Sequence, residues 1–226
     1  MELVLDASSV STLIGLATRG TLRWTGSPIA SQEHTLKLVP EYVRGLEECH
    51  GTPADVELVT VALGPGAFNA LRVAVSVAKG IAVGAGAAVV GVETLLAEAS
   101  RCRTEVGRVR PVLRAARTGF ATAAFVWQDG RWQKVDEERF LDEATLAGLV
   151  DADRPVCGDD AADACARLRE AFGLEARCVT PQSTSRLAAL AAEGWTQYRA
   201  GHTTQAATLQ PLYARPPHIT TPRDRR

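Results

Sequence analysis

The chain has 226 residues, 46% of them apolar, and alanine supplies 37 of these against 5% aromatics, so a real core is available and must be built from small aliphatic side chains. Its 25 basic and 26 acidic residues leave a net charge of -1, which excludes holding nucleic acid or an anionic membrane by a bulk positive field. The length fits one large domain or two of ordinary size.

The start, Met1-Glu-Leu-Val-Leu-Asp6, carries acids where a secretory signal would be basic, and residues 2–5 read as a short buried strand. The turn-rich Asp6-Ala-Ser-Ser-Val-Ser11 leads into a second strand over Thr12–Ala17. Arg19-Gly20 is a hairpin signal ahead of a third strand that runs to Thr25. Over residues 33–49 the period becomes helical: Leu36, Val39, Val43 and Leu46 recur on one face, Tyr42 and Cys49 widen it, and Pro40 is expected to bend or restart the first turn. Leu58–Leu63 is a continuous apolar strand of the parallel-sheet kind. Gly64-Pro-Gly66 breaks it, and a small-residue helix follows from Ala70 to Val83 with Asn69 as its N-cap. Ala87–Val92 is another buried strand, and Thr94–Arg101 starts another helix. The longest uncharged apolar run, Ile81–Val92, has 12 residues, short of the ~20 of a membrane span.

The same order returns after residue 105. Val109–Ala115 is a strand, Phe120–Trp127 a second, and Asp129-Gly130 a hairpin turn into Arg131–Phe140. Asp142–Val150 is helical with Asp142 as its cap, Pro155–Gly158 a short strand, and Ala161–Phe172 a helix stopped by Gly173. Ala176–Thr180 is a strand and Leu187–Ala200 the last helix. Two βββαβαβα units make an α/β chain with a duplicated ribonuclease-H-like fold, the plan of actin, Hsp70 and sugar kinases (ASKHA). The expected domains are 1–104 and a degenerate second copy at 105–226.

Five cysteines without a Cys-x-x-Cys pair fit a reducing cytoplasm and argue against a disulfide framework or a cysteine zinc site. In this fold the end of the first strand, Asp6 with Ser8, and the turn carrying Gly64, Gly66 and Asn69 are the candidate cofactor-binding residues. Glycines let the backbone turn tightly, and a helix start presents unpaired N–H groups to an anion. No Lys follows in P-loop register, so a Walker A motif is excluded. The equivalent point of the second half, Leu113-Arg-Ala-Ala-Arg117, has no acid to pair with Asp6 across a cleft; otherwise Asp6 is a turn-forming side chain. His34 has Leu38 where a metal-binding helix would place its second ligand, and no metal site is expected. Asp159 and Asp160 read as helix-start acids. Residues 101–117 hold six arginines against Glu105, beside a first hundred residues with six basic and ten acidic side chains. They are either solvated guanidiniums at a domain junction or a surface for an anion or acidic partner. Ala74, Ala78 and Ala82 form a small ridge, with Gly80 and Gly84 beside it, that would let another helix come close, from this domain or from another chain.

These residues resemble a known family. Leu3-Val-Leu-Asp-Ala-Ser8, Glu33-His34-Thr35 with Leu38-Val39-Pro40, Gly64-Pro-Gly-Ala-Phe-Asn-Ala-Leu-Arg72 with Ala78-Lys79-Gly80, Gly91-Val-Glu-Thr-Leu95 and Gln210-Pro-Leu-Tyr-Ala-Arg215 look like the bacterial TsaB (YeaZ) family. The match is dense over residues 1–100 and returns at the C-terminus. The resemblance implies the same duplicated fold and a cytoplasmic, non-catalytic subunit of the machinery that makes N6-threonylcarbamoyladenosine at position 37 of tRNAs reading codons that begin with A. It implies a catalytic TsaD partner, a TsaE ATPase joining them, a homodimer in isolation, contact with tRNA only indirectly and none with a membrane. It implies no tightly bound cofactor, with ATP or ADP met at the interface of the complex. The catalytic relative holds its metal through a His-x-x-x-His pair, and His34-Thr-Leu-Lys-Leu38 lacks the second histidine. The family pairs through its first two helices, which maps the partner interface onto His34, Leu38, Tyr42, Arg72, Ala74, Ala78, Gly80 and Ala82. Departures from the family pattern are Ala67, Asn69 and Ala70 in the glycine turn and Ala115-Ala-Arg117 in the second half. The alternatives are a small-molecule kinase of this fold, acting through Asp6 and the glycine turn, and a metal-dependent peptidase acting through His34.

Overall fold

A computed structural model describes the chain except residues 31, 103–106, 116–118, 151–153, 180, 182–184 and 213–226. The first half runs β1 (Glu2–Asp6), β2 (Ser11–Thr18), β3 (Thr21–Thr25), β4 (Ile29–Ala30), α1 (His34–Glu48), β5 (Leu58–Gly64), α2 (Phe68–Ala85), β6 (Ala88–Glu93) and α3 (Thr94–Ser100). Its sheet has the order β3-β2-β1-β5-β6, with β1 antiparallel to β2 and parallel to β5. The second half runs β7 (Arg108–Arg114), β8 (Gly119–Thr122), β9 (Phe125–Gln128), β10 (Arg131–Lys134), β11 (Arg139–Asp142), α4 (Glu143–Ala147), β12 (Val156–Cys157), α5 (Ala161–Phe172), β13 (Cys178–Val179) and α6 (Arg186–Arg199). Its sheet has the order β10-β9-β7-β12-β13, with β8 and β11 continuing the antiparallel side.

Apart from the two-residue β4, the two halves share this order once β8–β9 and β10–β11 are each read as one interrupted strand, which is the duplicated α/β plan expected from element order. β7 pairs Val112 with Thr122 and Arg108 with Val126, a single register on either side of the break. At the break the Ala124 N–H donates to Asp136 instead of to the ladder, and Pro111 has no N–H to offer. That is why Phe120–Trp127 and Arg131–Phe140, each expected as one strand, appear as two. The duplication extends to the turns. Arg19-Gly20 and Asp129-Gly130 both place two successive residues at positive φ, 51° and 75° in the first and 52° and 75° in the second, the backbone of a type I′ hairpin. β5 ends in Gly64 at φ 112°, and β12 is followed by Gly158 at φ 104°.

Side-chain alternation splits the core into layers. Leu3, Leu5, Val59 and Val61 face α1 and α2, which cover them with Leu38, Tyr42, Leu46, Ala74 and Ala78. Val4, Leu58, Ala62, Val90 and Val92 point the other way, onto Leu187, Ala189, Leu190 and Ala191 of α6. The last helix of the second half thus covers the first sheet. In return α3 covers the second sheet, with Leu95 and Ala99 against Val109, Leu113, Phe125 and Cys157. The far face of that sheet carries α4 and α5 through Leu146, Ala164 and Leu168. Two helices thus cross between the sheets.

Three local expectations are corrected. The inward face of α1 is His34, Leu38, Tyr42, Gly45 and Leu46, so of the expected face Leu46 and Tyr42 lie inside while Leu36, Val39 and Val43 point outward. The Trp24 ring lies on Gly45, where an added Cβ would come within 2.6 Å of it, so the helix must turn that face inward. Pro40 sits inside an unbroken helix; only the exposed Leu36 carbonyl loses its partner, and water can replace it. The N-cap of α2 is Ala67, with no side-chain bond, and Asn69 lies one residue inside the helix. α2 has the length and composition of a short membrane span, yet Leu71, Ala74, Val75 and Ala78 bury one side of it on the sheet.

Candidate functional site

The ends of β1 and β12, the end of α3 and the start of α6 meet between the two sheets, and their charged side chains form one network. Arg186, the first residue of α6, is 6% exposed. Its Nε donates to Asp6 Oδ2 at 2.7 Å, and its Nη1 donates to Glu98 Oε1 at 2.8 Å and to Asp159 Oδ2 at 3.2 Å. Arg101 closes the ring, donating to Glu98 Oε2 at 2.8 Å and to Asp159 Oδ1 at 2.7 Å. Asp6 and Glu98 are fully buried. The other oxygen of Asp6 accepts from the Ser8 N–H, at 3.0 Å, and from the Ser8 hydroxyl.

Burial alone would lower the Arg186 pKa, but Asp6 and Glu98 outweigh it and raise the value, so the guanidinium stays charged. Burial is also the largest influence on Glu98, and lifts its pKa against the pull of Arg186 and Arg101. Both carboxylates are spent on guanidinium donors inside the junction, and the arrangement gives it a structural chemistry.

Of the residues expected to hold a cofactor, Asp6, Ser8 and Gly66 come together. A Cβ on Gly66 would lie 2.6 Å from Ser8 Cα, so the glycine turn packs backbone to backbone on the β1–β2 loop. Gly64 is occupied from the other side: a Cβ there would lie 2.6 Å from the Leu212 carbonyl, because residues 203–212 return along the first half with Thr204 N–H on Val89 O and Leu212 N–H on Leu63 O, each at 2.8 Å. Asn69 is exposed on the first turn of α2, whose N–H groups have no side-chain cap; they are the polar groups of this turn left open to an anion. His34 is buried, with no partner for Nδ1. Among the described residues no three His, Cys, Asp or Glu side chains gather as a metal site would require.

The residues mapped as a partner interface divide. His34, Leu38, Tyr42, Ala74, Ala78 and Ala82 are buried in the chain's own core. The small ridge serves close packing of α2 on the sheet. Arg72 and Gly80 are exposed, Arg72 lying 5.3 Å above the Phe68 ring. The face that α1 and α2 turn outward is Leu36 (77% exposed), Val39 (47%), Val43 (45%) and Val83 (74%), with nothing within 4 Å of a Cβ added at Gly80 or Gly84.

The arginine-rich linker is not simply solvated. Arg101 belongs to the junction, Arg110 pairs with Asp136 and Arg114 with Asp163; Arg103 and Arg117 lie outside the described residues. Asp159 and Asp160 serve tertiary partners: Asp160 Oδ2 accepts the Arg114 N–H at 2.8 Å. Sequence reasoning missed Arg186 and Glu98. A signal existed in each: Arg186 is a cation in a helix's first turn, against the macrodipole, and Glu98 is the one acid in the apolar Thr94–Ser100 helix.

The family model for TsaD, tRNA N6-adenosine threonylcarbamoyltransferase, matches residues 28–199. The tRNA threonylcarbamoyladenosine biosynthesis protein TsaB of Bacillus subtilis (strain 168) is 25% identical over 155 residues, 68% of either chain. That of Escherichia coli (strain K12) is 29% identical over 144 residues, 62% of this chain and 61% of the relative. The structure of YeaZ from Pseudomonas aeruginosa superposes with a TM-score of 0.72 at 22% identity, covering 94% of this chain and 98% of that one. It shares the fold.

Proposed function

The chain belongs to the TsaD (tRNA N6-adenosine threonylcarbamoyltransferase) family, in its TsaB/YeaZ branch, and on that premise we propose that it is a non-catalytic subunit in the formation of N6-threonylcarbamoyladenosine on tRNA. It acts by pairing with a TsaD-type catalytic chain, which a TsaE-type ATPase joins, and it self-associates when that partner is absent. Contact with tRNA is made through the partner. The observation that carries this reading is the second apolar stripe on α1, Leu36, Val39 and Val43, all exposed. An amphipathic surface helix spends its apolar side on the core; α1 has a full inward face and an apolar outward one. Any nucleotide is met at that interface, where the uncapped start of α2 borders the glycine turn.

A kinase-like or peptidase-like activity would need Asp6 or His34 free to act. Asp6 is held by Arg186 and Ser8, and His34 lies in the core.

Co-expression of the chain with the TsaD-type protein of the same organism tests the reading. Leu36→Asp and Val43→Asp stand on exposed sites, where substitutions change folding stability by only about 0.5 kcal/mol, so loss of the co-purified partner reports on the surface itself. A wild-type chain that captures no partner, or a double variant that captures it undiminished, overturns the proposal. Ala78→Arg is not a usable probe, because Ala78 is fully buried and the arginine would unfold the first half.

A further inference from the structure

The interrupted ladder of the second sheet opens a cavity of about 340 Å³, lined by Val109, Phe125, Val126 and Val135 and by the charged side chains of Arg108, Arg110, Arg154 and Asp136. The break at Ala124 sets it up: the strand that would close the sheet there is replaced by Asp136, which accepts from the Ala124 N–H and from Arg110 Nη2.

Arg110 is 3% exposed. A guanidinium carries five N–H donors, and among the described residues the hydrogen bond of Arg110 is the one from Nη2 to Asp136 at 2.9 Å; its buried Nε has no partner. A buried cation with so few of its donors used is costly unless something else accepts from it. Arg108, at the start of β7, is exposed and makes no ion pair among the described residues. The lining therefore combines the unfilled donors of Arg110 and the exposed Arg108 with an apolar wall that an inorganic ion alone would not use.

We propose that this cavity is a binding site for a small organic oxyanion, a carboxylate or phosphate monoester on a compact apolar body, with Arg110 and Arg108 taking the oxyanion and Phe125, Val126 and Val135 taking the body. The site is separate from the junction and from the outward face of α1 and α2, and it stands whether or not the pairing proposal holds.

Isothermal titration of the full chain with benzoate, phenyl phosphate and the neutral benzyl alcohol tests it. Saturable one-to-one binding of benzoate or phenyl phosphate is expected, at least tenfold tighter than benzyl alcohol and weakening as salt rises. Whichever of the two binds more tightly tells whether a carboxylate or a phosphate is the better ligand. Arg108→Gln, on an exposed side chain, should weaken that binding at least fivefold with Tm unchanged; Arg110→Gln should abolish it. The proposal is overturned if neither anion saturates, if the alcohol binds equally well, or if Arg108→Gln leaves the affinity untouched. Should Arg110→Gln fail to fold, the Arg108→Gln result decides.

Discussion

Replacing Arg186 by Met keeps the length of the side chain and removes the guanidinium from the junction. Asp6 Oδ2 then loses its 2.7 Å donor, and Glu98 keeps Arg101 alone. Both carboxylates are fully buried, so water cannot replace what is lost. Breaking a buried ion pair from one side costs ~3–5 kcal/mol, most of it the stranded partner's desolvation. In a chain of this size each kcal/mol moves Tm by roughly 2–4 °C, so Arg186→Met should lower Tm by about 6–20 °C. The mechanism is identified by a rescue. Asp6→Asn alone should be costly, because it leaves Arg186 short of an anion. Added to Arg186→Met it should return part of the loss, since no uncompensated carboxylate then remains at that position. Urea denaturation of the four proteins gives the coupling, expected to exceed about 1 kcal/mol for groups in direct contact. A cost below about 1 kcal/mol for Arg186→Met, or strictly additive single losses, would refute the account of the junction as a buried electrostatic clamp.

The seating of α6 on the first sheet gives a second test. A Cβ on Gly194 would lie 2.1 Å from Thr60 Oγ1 and 2.5 Å from its Cγ2, so Gly194→Ala should cost ~1–3 kcal/mol by overpacking. Thr60→Ala in the same chain should recover part of that in thermal melts; no recovery would place the strain elsewhere. A third test concerns pH. Burial lifts the Glu98 pKa in the folded state, so the folded chain holds this proton more tightly than the unfolded one. Its contribution is complete below the unfolded pKa and is lost as pH rises through the folded value. Glu98→Gln should therefore flatten the stability–pH curve just above the ordinary carboxylate range, in urea midpoints taken from about pH 4 to 7; a slope identical to wild type would dismiss Glu98 as its source.

Element order and the repeated plan were legible because they rest on signals local to the chain. Arg19-Gly20 and Asp129-Gly130 marked the hairpins, continuous apolar runs marked β5 and β6, and Gly173 marked the end of α5. The break between β8 and β9 was not legible, since it depends on Asp136 reaching a strand twelve residues earlier to take the Ala124 N–H. The facing of α1 was misread for a related reason. The helix carries two apolar stripes, and only the Trp24 ring, brought against Gly45 by the sheet, decides which one is inside. The glycine turn was read as a tight turn able to cradle an anion; what its glycines leave room for in the fold is the Ser8 backbone and Leu212. Asp6 was found by its place at the end of the first strand. Its partner is 180 residues away, and no spacing rule links the two.

The exchange of helices bears on what the junction is for. Each sheet in this chain owes the cover of one face to a helix from the other half: Val4, Leu58 and Val92 to α6, and Val109, Leu113 and Phe125 to α3. Opening a cleft between the halves would slide α3 along α6 and strip apolar surface from both sheets, at about 25 cal/mol for each Å² exposed. It would also pull Arg186, at the start of α6 in the second half, from Asp6 and Glu98 in the first. An enzyme that closes over a substrate needs two arrangements of its halves separated by little free energy. Here packing and charge both oppose the open one, and the side chains that would do chemistry at the end of β1 are the ones holding the halves shut. The pairing proposed for the outward face of α1 uses exposed side chains, Leu36, Val39 and Val43, and asks for no movement of the layer that α6 and α3 hold in place.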